Sequence, residues 1–246
     1  MTQVHISIAA EKVAEIGSFA VTNSLLTTWV VAGVIGLLAI KTYSSVRLVP
    51  GNWQAVTEMP VEYLMSLAES ILGEKWKKYF GLVLTFFIFI LLSNWSGLIP
   101  GVGTIGVHEA GEAGEKLIPL FRAPTADLNM TLALAIVSVI VIQAAGFTEL
   151  GLGYLKKFFN FSNPIFTFSG ILELVSEISK LISFAFRLFG NVFAGEVLLV
   201  ITSALVPLLI PVPFYGLEIF VGLIQAFVFS MLTMVFIGIA TSHSEH

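Results

Sequence analysis

Long runs without a charged side chain recur along the chain, at Leu25–Ile40, Phe80–Ile99, Leu128–Phe147, Leu181–Phe186 with Val197–Leu217, and Ile219–Ser244. A helix needs roughly 20 apolar residues to cross the hydrocarbon of a bilayer, so each of the first three runs predicts a single crossing. The remainder predicts a hairpin of two long helices broken near Pro207, Pro211 and Pro213, since proline removes a ladder donor and clashes with the preceding turn. The expected fold is all-α integral membrane, with five membrane crossings and a long, strongly tilted final hairpin.

One segment between the first two crossings has a different rhythm. Val61, Leu64, Met65, Ala68, Ile71 and Leu72 recur at helical spacing, while Glu62, Ser66, Glu69 and Gly73 fall on the other side. This is an amphipathic helix, with Pro60 suited to its first turn. It lies either in the membrane interface or packed on the other spans. The chain then reads as a single membrane domain: an outer N-terminal segment (1–24), span 1 (25–43), the amphipathic helix (54–78), span 2 (79–99), an outer loop (100–127), span 3 (128–150), a long charged helix (164–205) and a last helix (214–242). The outer loop is rich in Gly and Glu and reads as flexible.

Composition agrees with lipid as the solvent. Of 246 residues, 57% are hydrophobic and 11% charged, against about 25% charged in an ordinary soluble domain. The mean hydropathy is +0.94. With no cysteine, disulfides and thiolate chemistry are excluded. The net charge of -4 comes with no basic patch, so nucleic acid is not an expected partner. No positively charged leader precedes the first apolar run, where Glu11, Lys12 and Glu15 stand instead. The first span is therefore expected to direct insertion itself, and a bacterial plasma membrane is the expected location, with an organelle-encoded copy as the alternative. Lysine and arginine set the orientation. Lys41, Arg47, Lys75, Lys77, Lys78, Lys156 and Lys157 fall in one set of loops, and only Lys12, Lys116 and Arg122 in the other. That bias puts the N-terminus outside and the C-terminus in the cytoplasm.

The candidate chemistry sits on the long helix after Asn163-Pro164. Some 40 residues would make roughly 60 Å of helix, about twice the hydrocarbon thickness. Glu173, Glu177, Lys180, Arg187 and Glu196 interrupt it, and a charge at mid-membrane costs about 2.5–3.5 kcal/mol. At 100° per residue Glu173, Glu177, Lys180, Arg187 and Asn191 share an arc of about 80°, with Glu196 nearly opposite Arg187. Glu177 and Lys180 can form an i, i+3 ion pair. Arg187 cannot shed its charge as a lysine can, and on helical phase Glu196 is a poor partner for it. A carboxylate from another subunit fits better. On the last helix Glu218 and Gln225 are two turns apart on one face. An antiparallel hairpin sets Glu218 at the depth of Glu196, and Gln225 nearer Arg187, so two outer carboxylates can line a watery path.

The run Arg187-Leu188-Phe189-Gly190-Asn191, followed by Ala194-Gly195-Glu196, resembles the signature of subunit a of the F-type ATP synthase. Pro124-Thr125-Ala126-Asp127-Leu128-Asn129 and Gln225-Ala226-Phe227 do likewise, as does the Ser93-Asn94 region. The resemblance covers nearly the whole chain. It implies a non-catalytic subunit that conducts protons through two offset half-channels, with Arg187 facing a rotor ring of subunit c and subunit b of the peripheral stalk as a further partner. Asn191 and Gln225 would neighbour Arg187, Glu196 and Glu218 would line the outer half-channel, and Glu173 with Ser176 the inner one. Family members vary at the position of Glu218, and Glu177 has no place in the family pattern. No cofactor is implied. The chain has no nucleotide-binding glycine loop, so ATP chemistry belongs to other subunits. The rival reading, a secondary transporter, predicts broken helices around a midplane pocket and internal repeats, and no repeat is visible. No His-Glu-x-x-His pair supports a membrane hydrolase. His5, His108, His243 and His246 lie in termini or the outer loop and read as solvated.

Overall fold

A computed structural model describes residues 9–17, 19–102, 105–111, 114–159, 163–206 and 211–242. Pro207, His5, His243 and His246 lie outside them. The chain runs through a short hairpin of β1 (Lys12–Ile16) and β2 (Phe19–Thr22), then α1 (Asn23–Ser45), α2 (Asn52–Leu72), α3 (Trp76–Ser96), a second hairpin of β3 (Gly106–Gly111) and β4 (Gly114–Pro119), α4 (Leu128–Leu150), α5 (Pro164–Leu205) and α6 (Pro211–Thr241). Five helical stretches are long and apolar enough to cross a membrane: Asn23–Ser45, Asn52–Ser96, Leu128–Lys157, Pro164–Leu205 and Pro211–Thr241.

Local chemistry sets the helix ends. Thr22 caps α1 by accepting from Leu25 N at 3.3 Å. Asp127 caps α4 by accepting from Asn129 N at 3.0 Å, and Asn163 caps α5 ahead of Pro164, each satisfying an orphan donor of a first turn. Both α2 and α4 stop on a glycine at φ +57°, Gly73 and Gly151, a left-handed value that glycine alone takes at no steric cost. Each is followed by a short 3-10 turn.

The core joins α3, α4, α5 and α6, with α2 laid against α3 and α6. Phe229 of α6 is its pivot, 1% exposed, with the ring of Phe86 (α3) 5.3 Å away and that of Phe184 (α5) 4.9 Å away. Aromatic pairs at such spacings contribute about 0.5–1.5 kcal/mol beyond their buried area. From α4, Ser138 hydrogen-bonds Thr233 of α6 at 3.0 Å, which satisfies two hydroxyls where no water reaches. α1 touches the bundle mainly through its first turns, where Asn23, Ser24, Thr27 and Val31 are buried, and most of its length is open to lipid or a partner.

The structure corrects one sequence expectation and adds to two others. Pro60 lies inside α2, not in its first turn. The helix starts at Asn52, eight residues before the proline and two before the expected bound, because Gly51 breaks the chain in extended geometry and Gln54 clasps the preceding segment, accepting from Arg47 N at 3.0 Å and donating to Arg47 O at 3.2 Å. The outer loop is not wholly irregular: β3 and β4 pair antiparallel from Gly106↔Pro119 to Gly111↔Gly114. Val107 stands opposite Ile118, a β-branched pair of the kind that supports a ladder. Arg122, counted from sequence as a loop charge, is 6% exposed.

Candidate functional site

α5 has 42 residues, about 63 Å at helical rise. It buries Gly170, Phe184, Ala185, Leu188, Gly195, Leu199 and Thr202 and leaves a broad face open, including Ile171, Val175, Ile178, Ile182, Phe186 and Ile201. Arg187 belongs to the open side. Its Nη2 donates to Ser183 Oγ, one turn back, at 2.9 Å. Among the described residues no carboxylate lies within ion-pair distance of it. One turn on, Asn191 Nδ2 donates to Gln225 Oε1 at 2.7 Å. Gln225 is 5% exposed, so this bond joins α5 to α6 beside the arginine.

Two cavities flank that junction. The first, about 360 Å³, holds both Glu196 and Glu218, with Val192, Leu199 and Ser203 from α5, Tyr215, Val221 and Gly222 from α6, Asn94 of α3, and the connection around Phe121 and Arg122. Glu218 reaches α5 because residue 195 is glycine: a Cβ there would fall on the Glu218 carboxylate. Glu196 is held by Arg122, whose Nε and Nη2 both lie 3.3 Å from Glu196 Oε2. The connection is itself braced. Thr125 Oγ1 donates to Asn94 Oδ1 at 2.7 Å, Asn94 Nδ2 donates to Gly222 O at 2.9 Å, and Ser24 Oγ donates to Asp127 Oδ2 at 2.7 Å. A polar segment so placed must satisfy every buried group internally.

The second cavity, about 320 Å³, is lined by Ser176, Ser179, Lys180, Ser183, Phe184 and Arg187 of α5 with Leu232 and Phe236 of α6. Arg187 borders it, and Val192 opens the first cavity five residues further on, about 7.5 Å along the axis. Glu173 does not line this cavity; it pairs with Lys157 at 2.7 Å. Glu177 pairs with Lys180 at 2.7 Å, the i, i+3 arrangement open on spacing alone. Among the described residues no group of three His, Cys, Asp or Glu is placed to hold a metal ion.

The family model of the ATP synthase A chain matches residues 25–238. The chain belongs to that family. It is 32% identical over 224 residues to ATP synthase subunit a of Moorella thermoacetica, covering 91% of this chain and 92% of that protein. To the chloroplastic ATP synthase subunit a of Stigeoclonium helveticum it is 36% identical over 221 residues, covering 87% and 82%. To that of Oedogonium cardiacum it is 34% identical over 223 residues, covering 87% and 80%. As a member of the ATP synthase A chain family with five spanning-capable helices, it is a multi-pass membrane protein. The family match spans every residue of both cavities.

Within that frame the structure brings together Glu196 with Glu218, Asn191 with Gln225, and Ser176 with Arg187. Glu173 sits one turn from Ser176, outside the cavity wall. Sequence reasoning missed Ser179 and Ser183, although their spacing from Arg187 puts them on its face. It also missed Arg122, which stands two residues before the Pro124 motif and whose partner lies 74 residues away.

Proposed function

We propose that this chain is the proton-conducting stator subunit of a rotary ATP synthase, and that its two cavities are offset half-channels separated by Arg187. The observation that carries the reading is that separation: Glu196 and Glu218 share one cavity, Arg187 borders the other, and no carboxylate among the described residues neutralises it. A proton coming from outside passes Glu218 and Glu196 and neutralises a carboxylate on the rotor ring of subunit c, which can then turn through lipid. After nearly a full rotation the neutral acid reaches the Ser176–Ser183 cavity and releases its proton toward the cytoplasm. Arg187 favours the ionised rotor carboxylate, since a near cation stabilises the charged form, and repels a proton crossing directly between the cavities. Glu173 at the Lys157 end would receive the released proton. Subunit b of the peripheral stalk would hold the chain against the torque, and the lysine bias puts the N-terminus outside and the C-terminus in the cytoplasm of a bacterial cell.

Each charge crossing 100 mV contributes about 2.3 kcal/mol, and a turning ring sums several. Vesicles carrying the assembled complex test the reading: with Arg187→Ala, ATP-driven acidification is lost while the subunit still accumulates. Normal acidification would refute it.

A further inference from the structure

We infer that Arg122 is a positioning residue of the proton path, holding the Glu196 carboxylate at the cavity wall and supplying its fixed countercharge; this rests on the function proposed above. Burying a guanidinium is costly unless its donors are satisfied, and here each contact has a direction. Nε and Nη2 both point to Glu196 Oε2, and Nη1 donates to Ala9 O at 3.1 Å. The backbone N of Arg122 donates to Thr27 Oγ1 at 3.1 Å, and that hydroxyl donates to Asn23 O at 3.0 Å. The cation is thus fixed by α1, by the segment before β1 and by its own connection.

Both contacts on Glu196 fall on one oxygen, so a proton can arrive at Oε1 without breaking the pair. Glu218, across the same cavity, has no lysine or arginine within ion-pair distance among the described residues. The two carboxylates therefore divide the work: Glu196 is a stationary charge, and Glu218 is the uncompensated one. The other ionisable groups facing Glu196 are Glu11, from the segment before β1, and Tyr215 across the cavity, and neither supplies a positive charge. Removing Arg122 would leave the Glu196 carboxylate without the contacts that fix it at the cavity wall and without a countercharge, so it could no longer serve as the ionised group beside Glu218.

Passive proton conduction through the membrane sector, in vesicles stripped of the catalytic head, tests the inference with Arg122→Gln, Arg122→Lys, Glu196→Gln and the Arg122→Gln/Glu196→Gln double variant. Arg122→Gln is expected to slow conduction at least ~10-fold, less than the roughly 100-fold or more of a proton-transfer group itself because Arg122 acts through Glu196, and Arg122→Lys to restore most of it. The double variant conducts no more slowly than the slower single one, since groups acting as a unit are not additive. Wild-type conduction in Arg122→Gln, a lysine variant as slow as glutamine, or multiplied losses in the double variant would each overturn it. Should Arg122→Gln fail to accumulate, Glu196→Gln and Arg122→Lys carry the test together: Glu196→Gln slows conduction and Arg122→Lys slows it less, and wild-type conduction in Glu196→Gln, or a lysine variant slower than it, overturns the inference. Loss of pumping in Arg187→Ala beside wild-type conduction in Arg122→Gln removes this inference only, whereas normal pumping in Arg187→Ala removes the function beneath it.

Discussion

Asn191 donates to Gln225 at 2.7 Å, and this single bond ties the two longest helices together one turn from Arg187. The pair is unequal, because Gln225 is 5% exposed while Asn191 is open. Asn191→Leu strands a buried amide and is expected to destabilise the subunit by about 1–3 kcal/mol, the usual cost of an orphaned polar group. Asn191→Leu/Gln225→Leu replaces both partners by apolar groups and recovers most of that loss. Thermal unfolding of the purified complex measures both variants. Equal losses in the single and double variants would mean the bond does not hold the helices.

Arg187 has a hydroxyl partner, Ser183, and an open face. Arg187→Lys keeps the charge but loses the fork geometry, and lysine can shed its proton where arginine cannot. The expected outcome is pumping reduced at least ~10-fold with ATP hydrolysis still running, which is partial uncoupling. Simultaneous measurement of acidification and hydrolysis checks it, and a constant ratio between the two would show that charge alone suffices.

The helical part of this fold was largely legible because its signals are long. Runs of about 20 uncharged residues leave few alternatives in lipid, and five helical stretches long and apolar enough to span emerge in the structure. The phase of α5 likewise separated Glu196 from Arg187, since helical angles accumulate reliably over two or three turns. What stayed hidden depended on distant pairing. Arg122 meets Glu196 across 74 residues of sequence, and no local period encodes that. The hairpin of β3 and β4 was masked by glycines and charges that read as a loop, because strands six residues long offer too few alternations to stand out. Pro60 suits a first turn by its fixed φ, but α2 begins at Asn52, two residues before the bound read from the sequence, which leaves the proline in the helix interior.

The absence of cysteine makes a single introduced thiol a clean reporter. Ser183→Cys and Ser203→Cys line different cavities, and they are expected to react with a membrane-impermeant thiol reagent from opposite sides of the vesicle, Ser183→Cys from the cytoplasmic side. Leu188→Cys, at 0% exposure, stays silent. Labelling of both serine positions from one side would mean that the cavities are not offset.

Glu218 and Gly195 form the tightest steric relationship in the site, since a Cβ on residue 195 would occupy the carboxylate itself. Gly195→Ala must displace Glu218 from the cavity wall, because the obstructing atoms are the head of one side chain and the new methyl is fixed to a packed helix. Conduction through the membrane sector is expected to fall at least ~10-fold, since a displacement near 1 Å at a transfer site is enough for that. Shortening the carboxylate by one carbon, about 1.5 Å, relieves the clash, so Gly195→Ala/Glu218→Asp recovers conduction relative to Gly195→Ala, whereas Glu218→Asp alone loses some. That reciprocal pattern belongs to a steric fit between α5 and α6 at the carboxylate. If the double variant is slower than either single one, Glu218 does not work in the position that Gly195 leaves open for it.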